Sequence, residues 1–261
     1  MPPAGQICRG RLAGPQDPAR LLRLPGRDSG ADALTATLQV SCAQPWLTVR
    51  LPGLCRLLSF APHRPGFQAA DKVIWREVRN ADLGPEVDPL ALLRDGLAAI
   101  GGLDAVAMMT SRDIRRHFIA RATIEGVTAA CVATVGLGNG EAVGSRRPGR
   151  PGPPLGTVNI LVHVDAALTD AALLEALSLA AEARTLAVLE GGYRPDPARP
   201  PVTGTGTDCI VLAAARGAAP LAYAGKHTAV GEALGRAVLD AVRPGVADWL
   251  VENGHRPGKG G

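Results

Sequence analysis

The sequence predicts an α+β fold: a mixed, largely antiparallel sheet covered by helices, in a single domain. Three observations predict it. Short apolar runs separated by turn residues crowd the first third of the chain. Helix-length periodic segments alternate with strands in the second half. Several neighbouring strands have connections too short for a parallel crossover, which excludes an unbroken series of βαβ units. The 261 residues are 46% hydrophobic and 20% charged, enough to bury a sizeable core. Aromatic residues make up only 3%, so that core is filled with Leu, Val, Ile and Ala, and stacking platforms for single-stranded nucleic acid are lacking.

The first residues, rich in Pro, Gly and Arg, read as a flexible extension over 1–33, and the folded domain is expected over 34–243. Runs at 34–40, 46–51, 57–61 and 72–78 read as a strand meander, broken by Pro52-Gly53 and Pro65-Gly66. Asp88 caps a helix with Pro89 at its first position; Leu90, Leu93, Leu97 and Ile100 form its apolar face, and Gly101-Gly102 ends it. A strand at 105–109 runs into a short helix capped by Thr110 or Ser111, and strands follow at 118–124 and 127–135. The Arg- and Pro-rich stretch 145–154 is a surface loop. After a strand at 157–164, Thr169 or Asp170 caps a helix to about 184, with Leu173, Leu174 and Leu177 facing the core. Strands are expected at 185–189 and 209–214, a last helix from about 227 to 242, and a tail over 244–261.

Charge and cysteine usage narrow the function classes. The net charge is +4, diluted by carboxylates throughout, which is no nucleic-acid footprint. Five scattered cysteines without a CxxC pair indicate neither a disulfide framework nor a thiolate zinc site. The first residues lack an apolar signal region, and the most apolar long stretch, 171–190, is interrupted by Glu175, Glu182 and Arg184. A cytoplasmic protein with no membrane span is expected. Cys131 and Cys209 lie within strands and read as buried and inert; His163 reads as a core residue, and His63, His117 and His255 lack partner spacing.

Four polar or glycine-rich segments sit at strand ends, where backbone can approach a ligand. They are the 108–113 stretch with Ser111 and Arg112, the loop 135–141 with Asn139, the strand start 156–159 with Asn159, and the run Thr203-Gly204-Thr205-Gly206-Thr207-Asp208. The spacing at 136–143 fails the GxGxxG pattern, which excludes a dinucleotide loop. One strand beyond Asp208 comes Gly225-Lys226-His227-Thr228, at a helix start. A neutral imidazole near a carboxylate serves as a general base, so Asp208 and His227 are expected to share a cleft.

Taken in order, AMMTSRD (107–113), VGLGNGEAVG (135–144), GTVNILV (156–162), LLEALSLAAEARTLAVLE (173–190), TGTGTDCIVLA (203–213) and YAGKHTAVGEALGRAV (223–238) resemble the adenosylcobinamide amidohydrolases of corrinoid salvage. The resemblance covers about 47–242. It implies hydrolysis of the amide that links the corrin side chain to the aminopropanol arm, giving adenosylcobyric acid and aminopropanol. The corrinoid is then substrate and no cofactor is expected; the DxHxxG signature of proteins that carry B12 is absent.

The residue roles are inferred from chemistry at the matching motifs. His227, oriented by Asp208, is expected to activate water or the hydroxyl of Thr205 or Thr207. Lys226 or the loop N–H groups stabilise the oxyanion. Ser111, Arg112, Asn139, Asn159, Gly204 and Gly206 bind substrate. A metal-assisted version with Asp208 and His227 as ligands stays open, as do a non-catalytic corrinoid-binding module and an amidohydrolase for another small amide.

Overall fold

A computed structural model describes residues 38–84, 86–145 and 156–255. The expected extension 1–33 and nearly all of the loop 145–154 lie outside them. The chain opens with β1 (Gln39–Ala43), β2 (Trp46–Ser59) and β3 (Gly66–Glu77), then α1 (Pro89–Ala99) and β4 (Val106–Thr110). The hairpin β5 (His117–Ile124) and β6 (Val127–Val135) follows, then the short β7 (Gly140–Glu141), β8 (Val158–Val164) and α2 (Asp170–Glu190). The short β9 (Gly204–Thr205), β10 (Cys209–Ala214) and α3 (Ala229–Glu252) complete it.

Eight strands form one sheet in the order β4-β3-β2-β10-β8-β6-β5, with β1 added along β2, and β7 pairs β9 apart from it. Among the described residues only the strand pairs β3–β4 and β8–β10 are parallel, each joined through a helix. This is the mixed, largely antiparallel α+β sheet that the pattern predicts. One face carries α2 and α3: Ile160, Val162, Ile210 and Leu212 bury against Leu173, Ala176, Ala237 and Val238. On the other face Val132, Leu161 and Val211 bury against Leu47, Val49, Leu57 and Trp75, so the long β2 and β3 curl over the sheet. No helix among the described residues is long and apolar enough to cross a membrane.

Five expectations are corrected. The runs 46–51 and 57–61 are one strand, because a register shift between Arg50 and Cys55 absorbs Pro52-Gly53 as a bulge. Of the strand expected at 34–40, residues 34–37 lie outside the described residues, and β1 covers Gln39–Ala43. The run 185–189 continues α2, since Ala183, Ala187 and Val188 extend its buried stripe; Leu174 faces solvent instead. No helix follows Thr110. Thr110 Oγ1 accepts from Arg112 N–H and Asp113 Oδ1 from Arg115 N–H, so side chains take the amides and form turns. The last helix runs through Pro244 to Glu252, well into the expected tail. Proline removes one helical hydrogen bond there, but Val246, Trp249 and Leu250 bury their side chains beyond it, and Gly245 lets the helix lie close on Val135 and Phe118.

Candidate functional site

Strands β8 and β10 start side by side, Cys209 opposite Asn159, and the loops before them meet the loop after β6. We call this the glycine end of the sheet. Gly156 has φ +127, and a Cβ there would lie 2.7 Å from Gly138 N and 2.9 Å from Asn139 N. Only glycine allows this backbone contact. Gly136 N–H donates to the Thr157 carbonyl at 3.0 Å, Gly206 N–H to the Asn139 carbonyl at 3.3 Å and Thr203 N–H to the Glu141 carbonyl at 2.9 Å. Three of the segments singled out in the sequence are therefore stitched together.

Asp208 is the hub. Its Oδ1 accepts from Val158 N–H at 2.9 Å and from Thr205 Oγ1 at 2.5 Å; its Oδ2 accepts from Thr205 N–H at 2.9 Å. Arg184, reaching in from α2, forms an ion pair with it, and the two side chains are only 14% and 8% exposed. Arg184 was missed by the sequence reading. The one signal available was a lone arginine on the apolar side of a helix. Thr157 Oγ1 shares its proton between Asn159 Oδ1 (2.9 Å) and the Thr207 carbonyl (2.8 Å). Thr207 Oγ1 donates to the Gly156 carbonyl at 3.3 Å. Asn159, fully buried, donates to the Met109 carbonyl at 2.7 Å, which brings the fourth segment, with half-buried Ser111, to the same end.

Other expected roles do not survive. The N–H groups of Thr205, Gly206 and Thr207 are spent on Asp208, the Asn139 carbonyl and Thr205 Oγ1, so they form no oxyanion hole. Asn159 has both amide atoms bonded inside the protein and ties β8 to β4 rather than meeting substrate. Arg112 is buried and pairs with Asp248 at 2.7 Å and with Glu252, anchoring the end of α3; it is not free to hold a substrate anion.

The lysine–histidine segment follows the other end of β10 and runs back along α2. The six residues of β10 rise about 3.3 Å each, roughly 20 Å in all, before the chain turns. Leu221 N–H then donates to the Ala167 carbonyl and Ala224 N–H to Glu175 on α2. Lys226 forms an exposed pair with Glu182 at 2.5 Å. His227 is exposed, and no hydrogen bond joins it to Asp208 among the described residues. Thr228 caps α3, its Oγ1 accepting from Gly231 N–H at 3.0 Å. No contact between Asp208 and His227 among the described residues supports the expected cleft: Asp208 is enclosed by Arg184, Thr205 and Val158, whereas the His227 side chain is exposed.

The remaining histidines and thiols are mostly structural. Burial pushes the Cys131 thiol well up and that of Cys209 to about 12, so neither serves as a nucleophile. Burial also holds His163 down at about 4. His63 Nε2 bonds the Leu103 carbonyl at 3.0 Å, and His255 stacks on Trp249. Among the described residues no three His, Cys, Asp or Glu side chains gather as a metal site.

The family model described as adenosylcobinamide amidohydrolase matches residues 31–254. A curated protein of that name from Halobacterium salinarum is 35% identical over 119 residues, 44% of this chain and 48% of that one. An uncharacterized protein from Methanocaldococcus jannaschii is 39% identical over 94 residues, 35% and 36% of the two chains. The match thus spans about half of the first relative and about a third of the second. Among solved structures, a Burkholderia beta-aminopeptidase aligns with 81% of this chain and 87% of its own at 12% identity and a TM-score of 0.35. A protein from Pyrococcus horikoshii aligns with 79% and 77% at 13% identity and 0.41. Nothing is carried over from these two distant likenesses. The match over 31–254, which contains every segment stitched together at the glycine end, places the chain in the adenosylcobinamide amidohydrolase family.

Proposed function

We propose that this protein hydrolyses the amide joining the aminopropanol arm to the corrin ring of adenosylcobinamide, releasing adenosylcobyric acid and aminopropanol. Water adds its oxygen to the carbonyl carbon, the C–N bond breaks, and the nitrogen leaves with a proton as the amine. The observation that carries this reading is the family match, which spans four segments that converge on one end of the sheet. In this reading Asp208 and Arg184 hold the loop 203–208 in shape. Gly206 and Thr207, at its exposed tip, meet the carboxamides around the corrin, with Ser111 beside them.

The test is incubation of the pure protein with adenosylcobinamide, with and without prior exhaustive chelation, followed by chromatography. Equal amounts of adenosylcobyric acid and aminopropanol are the expected result; the chelated arm reports whether a divalent cation takes part. Tight binding without product supports a corrinoid-binding module. Neither binding nor product supports an amidohydrolase for another amide.

A further inference from the structure

His227 is exposed and no hydrogen bond joins it to Asp208 among the described residues, so the hydrolase reading has no proton-transfer group held at that carboxylate. One histidine does stand in the right register. His117 is the cross-strand partner of Thr134, Thr134 that of Asn159, and Asn159 that of Cys209. Cross-strand partners share a face and hold their Cβ atoms about 5 Å apart, so His117, Thr134 and Asn159 form one polar row on the face away from α2 and α3. The row lies level with the start of β10, at the glycine end.

Two features of this row point to chemistry. The His117 Nδ1 lies 2.7 Å from the Ile114 carbonyl. A carbonyl only accepts, so Nδ1 carries a hydrogen; in the neutral form of this half-buried, oriented ring the lone pair is on Nε2. Next to it, Thr134 is fully buried and its Oγ1 has no hydrogen-bond partner among the described residues. A buried hydroxyl left unbonded is costly and uncommon in a settled interior. A base oriented by a third group, next to an unspent hydroxyl, is the arrangement that activates an oxygen nucleophile.

We propose that His117 is the general base of the hydrolase site, with the buried Thr134 beside it as a positioning residue for the ring. The proposal rests on the hydrolase reading above. Nε2 takes a proton from water as the new C–O bond forms, and returns it to the amide nitrogen as the C–N bond breaks. The ring ends as it began.

The test measures turnover of adenosylcobinamide by His117→Ala, His117→Gln and Thr134→Val, each checked by circular dichroism and thermal unfolding. Both His117 variants should fall by about 100-fold or more in kcat, the range general-base catalysis supplies, and added imidazole should restore part of the rate to His117→Ala alone. Thr134→Val removes a hydroxyl with no hydrogen-bond partner among the described residues; it should keep its melting temperature and still lose about 10-fold or more in kcat. His255→Ala serves as the control for loss of a ring and keeps its rate. Wild-type turnover with His117 variants near the wild-type rate overturns the proposal and leaves the hydrolase reading standing, as does Thr134→Val at full rate. A wild-type chain that binds adenosylcobinamide but yields no product overturns both.

Discussion

The two ends of β10 carry motifs of similar density in the sequence and of opposite character in space. At the glycine end the polar groups bind one another across long stretches of chain: Arg184 to Asp208, Thr157 to the Thr207 carbonyl, Asn159 to the Met109 carbonyl. At the lysine–histidine segment, apart from Ala224 on Glu175, the bonds named are local or lie on the surface, as with Thr228 on Gly225 and Lys226 on Glu182. The difference teaches that what a run of functional residues can do depends on whether its polar atoms close a network or face water. Spacing along the chain does not report that. It also orders the cost of breaking each end.

The largest effect is expected at Arg184→Ala. It leaves the Asp208 carboxylate buried without its cation while three other donors still hold it in place. Removing one partner of such a pair costs about 3–5 kcal/mol. Urea unfolding should show the midpoint moving down with the slope unchanged, and Arg184→Lys should recover only part of the loss, because a lysine cannot reproduce the guanidinium fork. An Arg184→Ala protein as stable as the wild type would mean that the glycine end is held by its loops alone.

How much of this was legible beforehand follows the same division. The apolar periods gave the elements: α1 with its Asp88 cap, the β5–β6 hairpin and β10 all fall where pattern puts them. What failed was continuity and depth. The bulge in β2 and the run of α3 through Pro244 depend on burial by partners distant in the chain, such as the Arg112 grip on Asp248 and Glu252. In the site, the glycine loops and Asp208 were legible as a cluster because close backbone approach demands glycine at positions such as Gly156. Arg184 was not, since its place on the apolar side of a helix does not name Asp208 as its partner. His117 was not either: its meaning comes from its register partner, and register is a property of the sheet.

A second, smaller effect sharpens the comparison from the far end. His163 sits toward that end, 6% exposed, opposite Ala130 and Ala213. Burial holds it at about 4 against an ordinary 6.5, with Asp165 opposing and Arg121 adding slightly. Between those values the unfolded chain binds the extra proton and the folded chain does not. Stability from this group is therefore complete above pH 6.5 and is lost as pH falls towards 4, on the order of 3 kcal/mol across the window. His163→Gln has nothing to titrate, so the gap between its unfolding midpoint and that of the wild type should change in its favour from pH 7 to pH 4.5. A gap that stays constant would place a proton acceptor on the folded His163.

Next in size is Gly156→Ala. The positive φ alone costs about 1–3 kcal/mol for a residue with a side chain, and the new methyl would press on Gly138 N and Asn139 N. Both strain the same loop, so the melting temperature should fall and substrate binding should weaken with it. An unchanged melting temperature together with weakened binding would show that loop 136–139 moves to admit the methyl, and that the glycine end is softer than its hydrogen bonds suggest.

The smallest effect belongs to Lys226→Ala. Its partner Glu182 and the lysine itself are 54% and 65% exposed, and exposed pairs contribute about 0–1 kcal/mol, less as salt rises. The unfolding midpoint should barely move, and the difference from wild type should vanish at 1 M salt. Turnover is the more telling readout. A loss of activity in Lys226→Ala at unchanged stability would bring the lysine–histidine end into the reaction. The lysine's partner Glu182 stands two residues before Arg184 on α2, so the substrate would then have to extend from the glycine end along that helix.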